Sequence, residues 1–198
     1  MAIIRPATPA DLPQVRAIST YYILNTALIF TQTSPPPAVF QAKYDDLKSR
    51  GLPYVVAVDE ELTNAEDGAD LVLGYAYLSP FRSHMLSYAA TVELSLFVHP
   101  DHQSRSLGSR LLAAVLEAAP AVRHRAYEVT GSDEEPRKVF AGEKGESEGG
   151  LPLRNILAVM AVSSEGLDGG DALRRWYIKR GFVERGRMEK IGFKRGEW

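Results

Sequence analysis

Cysteine is absent from this 198-residue chain. That excludes disulfides and thiolate metal sites, and any mechanism that parks an acyl group on a cysteine. Histidine is scarce, with only His84, His99, His102 and His124. His99 and His102 stand three apart, but the Pro100-Asp101 between them reads as a turn, where such side chains cap a loop. No metal is expected. No apolar run approaches the roughly 20 residues of a membrane span. The opening MAIIRPATPADLP has no signal-like apolar core, so a cytoplasmic protein is expected. Neither sign of charge dominates: 23 basic residues face 25 acidic ones, for a formal net charge of −2. No basic tail or stripe invites nucleic acid.

What is present is an ordinary globular composition, 45% hydrophobic, long enough for one domain with a sizeable core. Ala2–Arg5 reads as a strand. Thr8-Pro9-Ala10-Asp11 reads as a helix start, with Thr8 as N-cap and Pro9 in the first turn. Leu12, Val15, Ile18 and Tyr22 then form an apolar face at near-helical spacing. Thr33–Pro37 is a break, and a second helix is predicted over Ala38–Arg50, with Phe40, Tyr44 and Leu47 on one side. Strands are predicted at Tyr54–Val58, Leu71–Ser79 and Thr91–Val98, with the acidic Glu60–Asp70 as a hairpin loop. Leu107, Leu111, Leu112 and Val115 mark a third helix. The continuous apolar Asn155–Val162 reads as a buried strand. Asp171–Arg180 reads as a helix closed by Gly181, and Phe182–Met188 and Ile191–Phe193 as late strands. From about 122 to 150 the chain is too polar to bury much surface and reads as a mobile surface loop, an insertion in a single domain over 1–198.

The stretch TVELSLFVHPDHQSRSLGS, Thr91–Ser109, carries the chemistry. A strand, a loop of small residues and a helix start follow in succession. Such a junction offers backbone N–H groups and the positive end of a helix dipole to an anion. Glu93 alternates with Val92 and Leu94, so it faces away from the strand's aliphatic row, on the side of Ser95 and Phe97. It is either a solvated strand acid or a general base. An anion cradle beside a base suits transfer from a phosphorylated cofactor.

The loop motif Q-x-x-S-x-G, Gln103 to Gly108, resembles the acetyl-CoA motif of the GNAT acetyltransferases, usually Q/R-x-x-G-x-G/A. Five blocks resemble the phosphinothricin and methionine-sulfoximine N-acetyltransferase branch: IIRPATPADLPQV at the start, LNTALIF at 24–30, GYAYLSPFR at 74–82, TVELSLFVHPDHQSRSLGSRLL at 91–112 and RGFVERGRMEKIGFKRGEW at 180–198. The resemblance implies an α/β GNAT fold: a mixed, twisted sheet with helices on both faces and a splayed, bulged central strand. It implies acetyl-CoA as co-substrate, its pyrophosphate on the amides of Gln103, Ser104, Arg105, Ser106, Leu107, Gly108 and Ser109. Backbone groups of Leu96, Phe97 and Val98 would pair with the pantetheine arm. Leu107 would point to the core, and Ser106, where the family has Gly, would resist a positive φ.

The same resemblance makes Glu93 the general base. It sets Tyr177 beside the cofactor sulfur, where it would protonate the leaving thiolate; a core tyrosine is the other reading of Tyr177. The branch has His at that block and an Asn before the helix, near Gly170 here, so both positions depart from it. Arg82 would hold an acceptor carboxylate or phosphinate, or is an exposed loop charge, and Tyr88 and Phe30 would wall the acceptor pocket. A small-molecule primary amine and a homodimer are implied. A peptide or protein N-acetyltransferase and a non-catalytic acyl-CoA-binding module stay open as alternatives, because fold does not fix substrate.

Overall fold

The computed structural model describes residues 2–64, 68–82, 85–124, 127–140, 150–162 and 166–196. In chain order its elements are β1 (Ala2–Pro6), α1 (Leu12–Asn25), α2 (Pro37–Ser49), β2 (Tyr54–Thr63), β3 (Asp70–Pro80), β4 (Thr91–Val98) and α3 (Leu107–Ala118). The short strands β5 (Arg123–His124), β6 (Tyr127–Gly131), β7 (Pro136–Phe140), β8 (Leu151–Pro152) and β9 (Asn155–Leu157) follow, and then α4 (Asp171–Ile178).

The start of α1 is built from the chain's first charged pair. The Asp11 carboxylate accepts from the Thr8 N–H at 2.7 Å and the Thr8 hydroxyl at 2.9 Å. It also accepts both arms of the Arg5 guanidinium at 2.8 Å. Thr8 is the N-cap, as expected, in a capping box closed by Asp11, and the single 3-10 turn it opens over Pro9–Asp11 leads into α1. The expected apolar stripe is buried: Leu12, Val15, Ile18 and Tyr22 all join the core, as do Tyr44 and Leu47 of α2.

The main sheet runs β1-β2-β3-β4-β9. The first three pairings are antiparallel, and β4 with β9 is parallel. Gly74 and Tyr75 are neighbours on β3 and point to opposite faces. Gly74 lies against α3, where a Cβ would come 3.1 Å from Leu111 Cδ1. The Tyr75 ring packs on Phe97, and Phe97 on Tyr22 of α1, at centroid distances of 5.7 and 5.0 Å. Helices thus cover both faces. Val56, Val58, Leu73, Leu78, Val92, Leu111 and Leu112 sit in the core between them.

Four expectations change. The bulge expected in β4 does not occur in its pairing with β3, which runs unbroken from Val92 to Val98; the register shifts fall between β2 and β3. The strand still splays, on its other edge: β4 pairs with β9 only over Thr91–Glu93. That early parting shortens the strand expected at Asn155–Val162 to three residues, and leaves Val159 70% exposed. A continuous apolar run reads as buried, but without a neighbour to pair with it the backbone leaves the sheet. The late strands expected at Phe182–Met188 and Ile191–Phe193 are likewise not formed. A strand needs a ladder to join, and β9 ends too soon to offer one, so Val183, Met188, Ile191 and Phe193 are exposed. Finally, the segment from about 122 to 150, expected as a surface loop, carries strands. β6 and β7 form an antiparallel hairpin, and β5 pairs with β8. Residues 125, 126 and 141–149 of that segment lie outside the described residues.

Candidate active site

The site grows from the end of β4. In an antiparallel pair, alternate residues turn both backbone groups toward the partner. The His99 N–H donates to the Leu73 carbonyl at 2.8 Å and the Phe81 N–H to the Thr91 carbonyl at 3.2 Å. The odd-numbered residues of β4 therefore face β3 with their backbone. Leu96 and Val98 turn theirs to the edge that β9 has left, and Phe97 does not. The expectation that Phe97 would offer backbone groups together with Leu96 and Val98 is corrected by this register. Val98 is partly engaged already, because its carbonyl accepts from the Tyr22 hydroxyl at 2.6 Å.

Beyond β4 the chain makes a short 3-10 turn over Pro100–His102, in which His99 Nδ1 accepts from the Asp101 N–H at 3.2 Å. Gln103 is exposed, and its amide donates to the Tyr22 hydroxyl at 3.0 Å. Ser104 and Ser106 both stand in the left-handed region, with φ of 62° and 57°. Such a conformation costs a non-glycine residue about 1–3 kcal/mol. Ser106 therefore adopts the positive φ that its side chain disfavours. Arg105 between the two serines is exposed. The bend places Ser106 as N-cap of α3, and the first α3 bond runs from the Arg110 N–H to the Ser106 carbonyl at 3.1 Å. The N–H groups before it, through Ser109, have no intrahelical acceptor. Leu107 turns inward as expected, 3% exposed. Gly108 faces α4: a Cβ on it would lie 3.7 Å from Trp176 Cζ2 and from Leu96 Cδ2, and 3.8 Å from Val98 Cγ2. Small residues, free amides and a helix dipole together make a cradle for a phosphate.

Sequence reading overlooked Arg180. Its guanidinium stacks on the Trp176 ring, 3.9 Å from the centroid, and donates to Ser109 Oγ at 2.6 Å and to the Trp176 carbonyl at 2.9 Å. It brings a positive charge to the first turn of α3. Its place one helical turn after Trp176 was the one local hint, and Arg174, Arg175 and Lys179 nearby carry the same charge. Tyr22 was read only as core, yet it joins α1 to both Val98 and Gln103.

Glu93 lies on the face of β4 shared with Ser95 and Phe97, opposite the side chains that meet Gly108. It is half-buried, between Ser79 of β3 and Leu157 of β9 in the sheet. No hydrogen bond or ion pair engages its carboxylate among the described residues. Tyr177 of α4 packs edge-on against Trp176 and Phe182, at 4.9 and 5.2 Å. Burial pushes its phenol up to about 12, so it is a proton-bearing group at neutral pH. Three left-handed residues, Asp168, Gly169 and Gly170, turn the chain into α4. Arg175 ties this turn down through Asp168 and Asp171.

Of the residues expected around an acceptor, Arg82 is exposed, with φ of 46°, and its guanidinium lies 5.4 Å from the Phe81 ring. Tyr88 meets the same ring edge-on at 5.3 Å. The structure thus gathers Arg82 and Tyr88 around Phe81. Phe30 belongs to a different group: it is 48% exposed and rests on Gly192.

Known proteins resemble this chain in sequence and fold. Residues 19–139 match the family model of the acetyltransferase (GNAT) family. The L-methionine sulfoximine/L-methionine sulfone acetyltransferase of Pseudomonas aeruginosa is 37% identical over 120 residues, covering 61% of this chain and 64% of that protein. The chain thus spans a little under two thirds of that relative's length. The phosphinothricin N-acetyltransferase of Alcaligenes faecalis is 26% identical over 195 residues, 98% of this chain and 77% of its own. Among solved structures, a GNAT superfamily phosphinothricin acetyltransferase from Sinorhizobium meliloti, in complex with AcCoA, superposes with a TM-score of 0.72 at 25% identity. That match covers 100% of this chain and 83% of the other. The open edge of β4, the loop cradle and these matches agree: the chain belongs to the GNAT acetyltransferase family.

Proposed function

We propose that the protein transfers an acetyl group from acetyl-CoA to the primary amine of a small amino-acid-like compound of the phosphinothricin or methionine sulfoximine type. The observation that carries the reading is the unpaired edge of β4, which runs from the loop cradle at 103–109 back to Glu93. Acetyl-CoA would supply the activated acetyl group. Gln103 to Ser109 and Arg180 would hold its phosphates, and Leu96 and Val98 would bond its arm as a surrogate strand. The relatives' printed names supply the acceptor class.

In this reading the Glu93 carboxylate takes a proton from the incoming ammonium, directly or through water, and frees the amine lone pair. The Tyr177 hydroxyl keeps its proton at neutral pH and offers it to the departing sulfur. A strand N–H aimed at the developing negative charge, and the positioning of both partners, supply much of the rate. Arg82 pairs with an acceptor carboxylate or phosphinate, and Phe30 and Tyr88 wall the pocket. We read the protein as a cytoplasmic homodimer, a state that sedimentation tests.

The decisive experiment is thiol release from acetyl-CoA against a panel of phosphinothricin, methionine sulfoximine, methionine sulfone, plain amino acids and short peptides. Turnover on the amino-acid analogues is expected. Turnover on peptides alone, or tight cofactor binding with no turnover, would overturn the reading.

A further inference from the structure

The C-terminal segment crosses the connection between α1 and α2, and one buried cation holds it there. Lys194 is 5% exposed. Its Nζ donates to the carbonyl of Ile23 at 2.6 Å, to that of Ile29, and to that of Thr31 at 3.2 Å. All three ammonium protons are thereby used. The next residue, Arg195, donates to the Leu24 carbonyl at 3.0 Å. Ile23 and Leu24 lie in the last turn of α1, whose carbonyls lack intrahelical donors and carry the negative end of the dipole. Two cations therefore cap α1 from a segment 171 residues away.

The same segment touches Phe30. Ile29 and Thr31 are the residues on either side of it, and Lys194 holds both carbonyls. The Phe30 ring lies on Gly192, where a Cβ would come 2.3 Å from its Cε1. Backbone and ring of Phe30 are thus fixed by residues two apart in the C-terminal strap. The α1–α2 connection has no ladder of its own from Thr26 to Pro36. Without the strap, Phe30 would have several orientations to choose from, and ordering it would cost conformational entropy on acceptor binding.

We propose that Lys194 is a positioning residue for the acceptor: through the Ile29 and Thr31 carbonyls, and with Gly192 as the floor, it holds Phe30 where that ring shapes the acceptor pocket. This rests on the reading of Phe30 as an acceptor wall. Capping α1 alone would make Lys194 a stability element, moving cofactor and acceptor parameters together. A positioning role separates them.

Lys194→Met keeps the stem and removes the donors. It should raise the acceptor KM about tenfold or more, leave kcat within about threefold, and leave the calorimetric Kd for acetyl-CoA unchanged. Lys194→Arg should recover part of the acceptor KM. Gly192→Ala displaces the Phe30 ring without touching the ammonium cage, so the readout survives if Lys194→Met fails to fold. It should raise the acceptor KM, and that effect should vanish in a Phe30→Ala background, as expected of coupled residues. Additive Gly192→Ala and Phe30→Ala effects, or equal losses in acetyl-CoA affinity and acceptor KM, would overturn the proposal. Wild-type protein with no turnover on any amine would instead bring down the acetyltransferase reading, and this proposal with it.

Discussion

The Tyr22 hydroxyl donates to the Val98 carbonyl at 2.6 Å. It simultaneously accepts from the Gln103 amide at 3.0 Å. One phenol thus joins the last residue of β4, the first residue of the loop motif and the inner face of α1. Burial, the largest influence, raises its pKa, so it holds its proton for the Val98 carbonyl throughout the neutral range. Tyr22→Phe should lower stability by about 1–2 kcal/mol in denaturant melts, because two partners lose their bond at once. Acetyl-CoA affinity should fall as well, since Gln103 and the loop behind it lose their anchor. A mutant with unchanged affinity would separate the anchor from the cradle.

Gly108→Glu tests the cradle directly. The new side chain would point toward Trp176 and Leu96 and bring a negative charge to the first turn of α3. Acetyl-CoA binding, measured by calorimetry, should weaken by at least ~3 kcal/mol through repulsion and lost amide contacts. Arg180→Ala should weaken it too, and more strongly at low salt than at high salt. Full affinity in a folded Gly108→Glu protein would place the cofactor elsewhere.

Glu93→Gln keeps the size of the side chain and removes its basicity. The expected fall in kcat/KM at neutral pH is roughly 10²–10⁴-fold, the usual contribution of a general base. Acetyl-CoA affinity should hold, and the deficit should narrow at high pH, where more acceptor amine is already neutral. Wild-type rates across the pH range would leave Glu93 as a solvated strand acid.

Tyr177→Phe addresses the other end of the reaction. A phenol pushed up to about 12 by burial titrates above the range in which the rate is measured. It should therefore create no alkaline limb below about pH 11, and its removal should scale the whole profile down without reshaping it. A mutant profile that loses a limb near neutrality would assign that limb, and Tyr177, differently.

Two buried groups set the acid stability. Burial is the largest influence on His124 and lowers its pKa, against the opposing bond between Nδ1 and the Ala89 carbonyl at 2.6 Å. Its neutral form is favoured in the fold, so this contribution is complete above the unfolded value of about 6.5 and shrinks as pH falls below it. Burial would raise Asp11, but the bonds from Arg5 and Thr8 and the charge of Arg5 outweigh it and hold the carboxyl below its ordinary value. That contribution is complete above about pH 4 and is lost as pH falls through the lowered value. Denaturant melts should show two steps of lost stability on acidification. His124→Gln should abolish the upper step, and Asp11→Asn the lower one, at a cost of about 1–3 kcal/mol at pH 7.

Legibility followed local repetition. The stripe Leu12, Val15, Ile18 and Tyr22 and the alternation of β4 repeat at the period of one element, and both were found to within a residue or two. The strand, loop and helix start from Thr91 to Ser109, on which Glu93 and the proposed cradle lie, were legible because motif and structure are contiguous. What the sequence hid depends on partners far along the chain. Arg180 meets Ser109 across 71 residues, and nothing near either announces the other. The absent strands at 182–188 and 191–193 carry strand-like residues, but a strand exists only if a neighbour pairs with it. Phe97 is hidden more subtly: its neighbours Leu96 and Val98 share its strand, and only the register against β3 shows that its backbone faces away.

That register also makes β4 a ruler. Only every second residue addresses the open edge, so a guest strand can shift only in steps of two residues, about 6.8 Å. From Val98 to Glu93 the strand spans five residues, about 17 Å, and it is free of β9 beyond Glu93. A donor anchored by phosphate at the far end must carry its reactive carbon on an arm of that reach. A small acyl phosphate cannot satisfy both ends at once, whatever its intrinsic reactivity. In the proposed reaction, the geometry of one strand would thereby select the length of the carrier before any side chain inspects its chemistry.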